Sequence, residues 1–328
     1  MQGVRCRINI LQSSRGIGFA IRLLASFQAT IGRLNLHPGL KQLVEHPHGL
    51  ILISGPTGCG KSSTLAALIQ EINLTQARHI VTLESPIEYA FRPRRSFIRQ
   101  REVGRDTPSF QQALLDVLRE DPDVVMVGEM RDTETLQLTL RTAETGHLVL
   151  STVHSSSCAE ALQRIVGAFP PEIQNNVAAQ LADCLLGVIC QRLRFRPDLK
   201  IRLPECEVLI ANTPIKTFIR NREFFKISHV LETGADQGMW TFDRYRRWME
   251  QRTDWMTSLA DAEAPDTSPV ENDGKPSLPP LMSASQHGTA QRPASRTRSS
   301  PPPEAGPIEI EPVEGGLEGL IKKLEKPD

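Results

Sequence analysis

The sequence lacks net charge: Lys+Arg and Asp+Glu both number 38 in 328 residues. Holding nucleic acid regardless of its sequence takes a large positive field, so no direct nucleic-acid contact is expected. A local basic cluster at Arg92, Arg94, Arg95, Arg99 and Arg101 reads as a solvated or intersubunit face. The six cysteines (Cys6, Cys59, Cys158, Cys184, Cys190 and Cys206) form no C-x-x-C pair, which excludes a zinc ribbon and a thioredoxin-type motif. No stretch of 18 apolar residues occurs, so no transmembrane segment is expected. The N-terminus lacks the continuous apolar segment of a secretory leader, and any membrane role should run through a partner. Cys59 sits in a glycine-rich segment where a disulfide would obstruct a ligand, so the thiols point to a reducing, cytoplasmic setting.

What is present concentrates between residues 36 and 195. Four short runs rich in Val, Ile and Leu, at 50–54, 80–83, 124–127 and 148–152, read as buried strands. Helical patterns separate them, which predicts an α/β fold with a parallel sheet covered on both faces. A weak alternation over 1–10 suggests one further strand. Over 171–193 the residues Val177, Leu181, Leu185, Val188 and Ile189 share one helical face, and a helix is expected there. Thr213-Pro214 opens another with a cap and a proline in its first turn. Phe242, Tyr245 and Met249 suggest a third. From about 256 the composition turns to Ser, Pro, Thr, Gln and charge, and a disordered tail is expected. Within it Leu317, Leu320, Ile321 and Leu324 follow helical spacing, either by chance or as a peptide that folds onto a partner groove.

The strongest motif is Gly55-Pro56-Thr57-Gly58-Cys59-Gly60-Lys61-Ser62, a G-x-x-x-x-G-K-[ST] phosphate loop. It follows a predicted strand and precedes a predicted helix at 63–72, the context the motif requires. Glycines let the backbone wrap phosphate oxygens, and N–H groups at the helix start supply positive potential. Residues 55–63, Ser63 included, are therefore expected to bind ATP, with Lys61 on the β- and γ-phosphates and Ser62 on Mg²⁺. The strand at 124–127 runs into Gly128-Glu129, at the sheet edge where open α/β sheets bind ligands. Gly128 holds the slot where an Asp usually precedes the Glu, so Glu129 is the candidate to orient or deprotonate the attacking water. Glu84, after the strand at 80–83, is the candidate second carboxylate for the metal or its waters. His154 lies past the end of the strand at 148–152 and is placed to sense the γ-phosphate. His147, at the other end, suits a subunit contact.

These segments resemble the type II/IV secretion ATPase family, nearest its PilT-like pilus-retraction branch. Residues 118–132 fit the family signature L-R-x-x-P-D, a hydrophobic run, then G-E-M-R-D. Residues 82–88 are similar to its Asp box, with Ser85 in place of the Asp, and 145–154 to its His box. Shorter matches occur at Arg5-Cys6-Arg7-Ile8-Asn9, at Gln100-Arg101-Glu102-Val103 and between Asn212 and Met239. The resemblance implies a RecA-like P-loop core over 36–195, a C-terminal helical region over 196–255 and Mg²⁺-ATP hydrolysis. It also implies a homo-hexameric ring working on a pilus or secretion platform protein at the inner membrane. Residues 1–35 would be a remnant and linker of the family's N-terminal domain. Lys61 and Ser62 would bind nucleotide, Glu129 would be the catalytic Glu, and Glu84 and His154 would support it. Arg5, Arg7 and Arg101 would reach nucleotide across subunits. The four-cysteine zinc element of the assembly ATPases is absent, which favours the retraction branch. Three functions follow: a retraction motor for twitching motility or DNA uptake, a related ATPase for secretion, and a nucleotide-binding subunit dependent on an active paralogue.

Overall fold

Every residue of β3 (Gly49–Ser54), β6 (Val124–Val127) and β7 (Leu148–Val153) is buried. Strands covered on both faces read this way, as continuous apolar runs rather than alternating ones. The structure is a computed structural model, which describes residues 6–14, 16–23 and 29–257. The tail from 258 onward, with its stretch at 317–324, lies outside the described residues, as does Arg5.

The seven-stranded sheet has the order β5 (Phe97–Glu102), β4 (His79–Glu84), β6, β7, β3, β8 (Leu185–Arg196), β9 (Ile201–Ile210). All neighbours pair in parallel except β8 with β9, which form an antiparallel hairpin. Successive side chains leave a strand on opposite faces, so each strand feeds two cores. Leu50 and Leu52 join one, with residues of α2 (Phe110–Val117), α3 (Thr133–Glu144), α4 (Cys158–Gly167), α5 (Gln174–Cys184), α6 (Thr213–Arg220) and α7 (Ile227–Thr233). Ile51 and Ile53 join the other, with α1 (Lys61–Thr75), a 3-10 helix at Pro38–Glu45 and α8 (Phe242–Gln251). Helix starts follow local chemistry: the side chains of Ser109, Asp132, Ser157, Asn212 and Thr241 accept from first-turn N–H groups of α2, α3, α4, α6 and α8.

The expected α/β architecture, RecA-like with a largely parallel sheet, is therefore present. The helix expected over 171–193 is present only in its first half, as α5. α5 ends at Cys184 and the chain continues as β8, where Leu185, Gly187, Val188, Ile189 and Cys190 are buried. A short apolar run has no period that separates buried strand from buried helix, and here sheet pairing with β3 decided. The region from 196 is not purely helical either, because β9 lies in it and binds β8 across the boundary placed at 195. The described residues belong to one compact unit. The basic cluster at 92–101 contains the edge strand β5, whose charged side chains discourage further strand pairing.

At the N-terminus β1 (Cys6–Ser13) pairs antiparallel with β2 (Gly16–Leu23). Ile8 faces Ile21 and Ile10 faces Phe19 across the pair, so one face of this hairpin is apolar. These four side chains are about half exposed or more. No helix among the described residues is long and apolar enough to cross a membrane.

Candidate nucleotide site

The phosphate loop joins β3 to α1 at the carboxyl edge of the sheet. Gly60 precedes α1 with φ +91° and offers no side chain to cap it, so a ligand oxygen can approach the first-turn N–H groups. Gly55 has φ +142°, and an added Cβ would strike the Gln191 carbonyl oxygen and lie 2.6 Å from Cys59 Sγ. The loop thus packs hard against β8 and carries no spare volume on that side.

Gln191, on β8, clamps the loop. Its Nε2 donates to the Cys59 carbonyl (2.5 Å), and its Oε1 accepts from Thr64 Oγ1 (2.6 Å). Gln191→Ala is expected to leave both groups buried and unpartnered, at a cost of about 1–3 kcal/mol. Thermal melting should fall by roughly 2–4 °C per kcal/mol, and ATP should restore less of the loss than in the wild type. An unchanged melting curve would remove Gln191 from this role.

Lys61 is 9% exposed. Its ammonium donates to the loop's own carbonyls at Gly55 (2.8 Å) and Pro56 (3.0 Å) and lies 3.3 Å from His154 Nδ1. Among the described residues no carboxylate pairs with it; Coulomb attraction to an incoming anion is therefore uncompensated and strong. His154 Nε2 lies 2.9 Å from Glu129 Oε1. An ammonium only donates and a carboxylate only accepts, so the neutral ring carries its hydrogen on Nε2. Lys61, His154 and Glu129 form one chain of contacts from the phosphate loop to the end of β6.

Two bonds hold that chain in place. Ser151 Oγ donates to the Val127 carbonyl (2.9 Å) and Thr152 Oγ1 to the Gly128 carbonyl (2.6 Å), locking the end of β6 to β7. An added Cβ at Gly128 would sit 3.2 Å from the Leu83 carbonyl oxygen, so the slot favours glycine on packing grounds. Arg131 takes the remaining Glu129 oxygen through Nε (2.8 Å) and Nη2 (2.7 Å). Burial pushes the Glu129 carboxyl up, but the hydrogen bond and charge of Arg131, with His154, outweigh it and hold it below the usual carboxylate range.

Glu84 stands apart from this chain. It is 7% exposed, and its Oε1 accepts from Thr82 Oγ1 (2.7 Å) and Gln100 Nε2 (3.0 Å). Burial pushes its carboxyl up, against those two hydrogen bonds. Gln100 also donates to the Tyr89 carbonyl, and the Tyr89 hydroxyl lies 2.6 Å from Ser63 Oγ on α1, which links this edge to the loop. Ser62, Pro56, Thr57 and Gly58 are exposed, whereas Cys59 is buried under the loop with its thiol pushed up by burial. His147 binds locally, its Nδ1 lying 3.0 Å from the Thr142 carbonyl near the end of α3. Arg101 is paired within the chain to Asp116 (3.3 Å) and Glu120 (2.8 Å). Sequence reasoning missed Gln191, Tyr89 and the roles of Arg131 and Thr152. Arg131 left a signal in the G-E-M-R-D run and Thr152 in the segment 145–154, whereas Gln191 and Tyr89 left none.

The family model described as type II/IV secretion system protein matches residues 1–233. A twitching motility protein of Neisseria gonorrhoeae is 42% identical over 240 residues, 73% of this chain and 64% of that protein. The type IV pilus retraction ATPase PilT of Pseudomonas aeruginosa is 40% identical over 239 residues, 73% of this chain and 69% of that protein. A crystal structure of the pilus retraction motor PilT with bound ADP superposes with a TM-score of 0.67 at 40% identity, covering 77% of this chain and 76% of that one. The chain thus spans a little under two thirds of the gonococcal relative's length. A match over residues 1–233, with relatives at this identity across nearly three quarters of its length, makes the chain a member of the type II/IV secretion system protein family.

Proposed function

We propose that this protein is a Mg²⁺-dependent ATPase and a motor of type IV pilus retraction. The observation that carries the reading is Lys61: a nearly buried ammonium in a glycine loop, partnered by neutral carbonyls and connected through His154 to Glu129. Phosphate oxygens would replace the carbonyls as its acceptors, and the bare N–H groups at the start of α1 would take others.

The residues present fit a magnesium ion. Among the described residues no three His, Cys, Asp or Glu side chains gather into a metal cage. Magnesium does not need one, because it keeps waters and adds phosphate oxygens to one or two protein ligands. The exposed Ser62 hydroxyl would hold it directly, and Glu84 would orient its waters. Bound magnesium supplies charge neutralisation at the β- and γ-phosphate oxygens.

Glu129 would orient the attacking water and accept its proton. Both of its oxygens are engaged, so one must be freed first. The Arg131 side chain is 76% exposed, and such a pair is worth only about 0–1 kcal/mol. Arg131 is the cheaper partner to release, and His154 then keeps Glu129 aligned while its other ring nitrogen reports on Lys61. The exposed apolar face of the β1–β2 hairpin supports work inside an assembly, since subunit contacts cover such faces. A homo-hexameric ring at the cytoplasmic side of the inner membrane, acting on a pilus platform protein, fits that surface. Secretion is the alternative task, given the breadth of the family description.

Turnover of ATP by the purified full chain, read beside its mass in solution, tests this reading. A hydrolysing ring supports it. A chain that binds ATP and never turns it over, even as a ring, sinks the motor and leaves a subunit dependent on an active relative.

Glu84→Gln tests the metal-side carboxylate. Turnover should fall by about 10- to 100-fold. Stability should move the other way. A carboxyl whose folded pKa is raised costs nothing while protonated in both states, and its stability is lost as pH rises from the usual carboxylate range through the folded value. The variant's melting temperature should match the wild type in acid and exceed it at neutral pH. Equal melting at both pH values would contradict the effect of burial on this carboxyl.

A further inference from the structure

Beside the phosphate loop lies a cavity of about 300 Å³. Gly60, Ser63 and Thr64 line it, together with Leu193 and Ile201 of the β8–β9 hairpin. Met256 also lines it, from the segment that follows α8 and returns across the molecule to the turn at Asn35. That return is pinned by a reciprocal pair: Asn35 Nδ2 donates to the Met256 carbonyl (3.0 Å) and the Met256 N–H donates to Asn35 Oδ1 (2.9 Å). Asn35 is 5% exposed with φ +56°, a conformation that Asn tolerates better than most residues. Its amide is therefore committed to holding this segment. The segment is also ordered from within: Trp255 Nε1 donates to the Arg252 carbonyl (2.9 Å), and the Arg252 guanidinium stacks on Trp255 at 4.8 Å and Trp248 at 5.4 Å. Residues 252–257 lie beyond residue 233, where the family match ends.

We propose that the Asn35–Met256 clasp is the wall of this cavity that sets how tightly the base and ribose of a bound nucleotide are held. The inference rests on the nucleotide reading of the phosphate loop. A chain of phosphates bound along the loop leaves its sugar end at the first turn of α1, and Ser63 and Thr64 of that turn open into this cavity. Apolar lining from Leu193, Ile201 and Met256, with polar groups such as Ser63, Thr64 and Arg202 among it, suits a flat aromatic ring carrying a sugar. Asn35 acts through Met256 and is a positioning residue. It makes the segment that ends at residue 257 part of the nucleotide pocket.

Full-length wild type, Met256→Pro and Asn35→Asp are titrated with Mg-ATP and with Mg-tripolyphosphate, which has the phosphates and no base or sugar. Met256→Pro removes the N–H that Asn35 accepts. Asn35→Asp keeps the acceptor and the tolerance for φ above zero, and loses the donor to the Met256 carbonyl. The wild type should hold ATP more tightly than tripolyphosphate. Both variants should weaken ATP by about tenfold while tripolyphosphate stays within about twofold. Variants that bind ATP like the wild type overturn the inference, and so does equal weakening of both ligands, which is what a loosened fold would give. A wild type that binds the two ligands equally also overturns it while leaving the phosphate loop intact. A wild type that binds neither defeats the nucleotide reading itself, and the inference with it.

Discussion

Glu129→Gln is expected to keep ATP bound and to slow its hydrolysis by about 10²- to 10⁴-fold, the range in which a positioned general base acts. The substitution keeps the shape of the side chain and one of its two contacts: the single amide oxygen can accept from Arg131 or from His154 Nε2, and the NH2 group can replace neither acceptor. What it removes is the capacity to take a proton and the negative charge that aligns the water. The carboxyl is held below the usual carboxylate range, against the effect of burial, by Arg131 and His154, so it is ionised throughout the neutral range in the wild type. ATP affinity should change little, because Lys61 and the loop carry the phosphates. Single-turnover hydrolysis with equilibrium binding measured on the same sample separates the two. Turnover within about tenfold of the wild type would assign the base elsewhere. Lost ATP binding would mean that Glu129 holds the loop instead of the water.

Lys61→Ala should do the reverse and abolish binding first. Truncating one partner of a buried charged contact costs about 2–5 kcal/mol, or roughly 30- to 5000-fold in ATP affinity. The folded protein without nucleotide should lose little. Lys61 is 9% exposed, and among the described residues it has no carboxylate partner, so the ammonium is a burden that the loop carbonyls offset only in part. The variant's melting temperature should equal or exceed that of the wild type, and ATP should no longer raise it. A variant that melts early and still binds ATP would make Lys61 a structural brace of the loop.

Legibility of the fold in the sequence followed the range of the interactions. The four buried strands between 49 and 153 were readable because a doubly covered strand shows consecutive apolar residues instead of an alternation. α1, α6 and α8 were readable because their start signals and apolar spacing lie within a few residues of each other. β8 was not: its run at 185–190 extends the apolar face of α5 without a break, and only pairing with β3 tells the two apart. β5 was hidden by its arginines, which an edge strand accommodates on its open side. β2 was missed although Ile17, Phe19, Ile21 and Leu23 alternate along it, the period of a strand with one apolar face.

The sequence by itself determined the phosphate loop and the acidic strand end, because eight contiguous residues dictate the loop's backbone and Glu129 follows directly from the strand before it. Tertiary structure decided how those parts meet. Sheet order sets β6 and β7 side by side and β7 next to β3, which brings His154 between Lys61 and Glu129. It decided the Gln191 clamp, 127 positions from Thr64, and the Asn35–Met256 clasp, 221 positions apart. Hydrogen bonds between such distant residues leave no local period or spacing to read. They exist because packing on the two faces of one sheet first brings the backbones together, and the side chains then find the partners that burial demands.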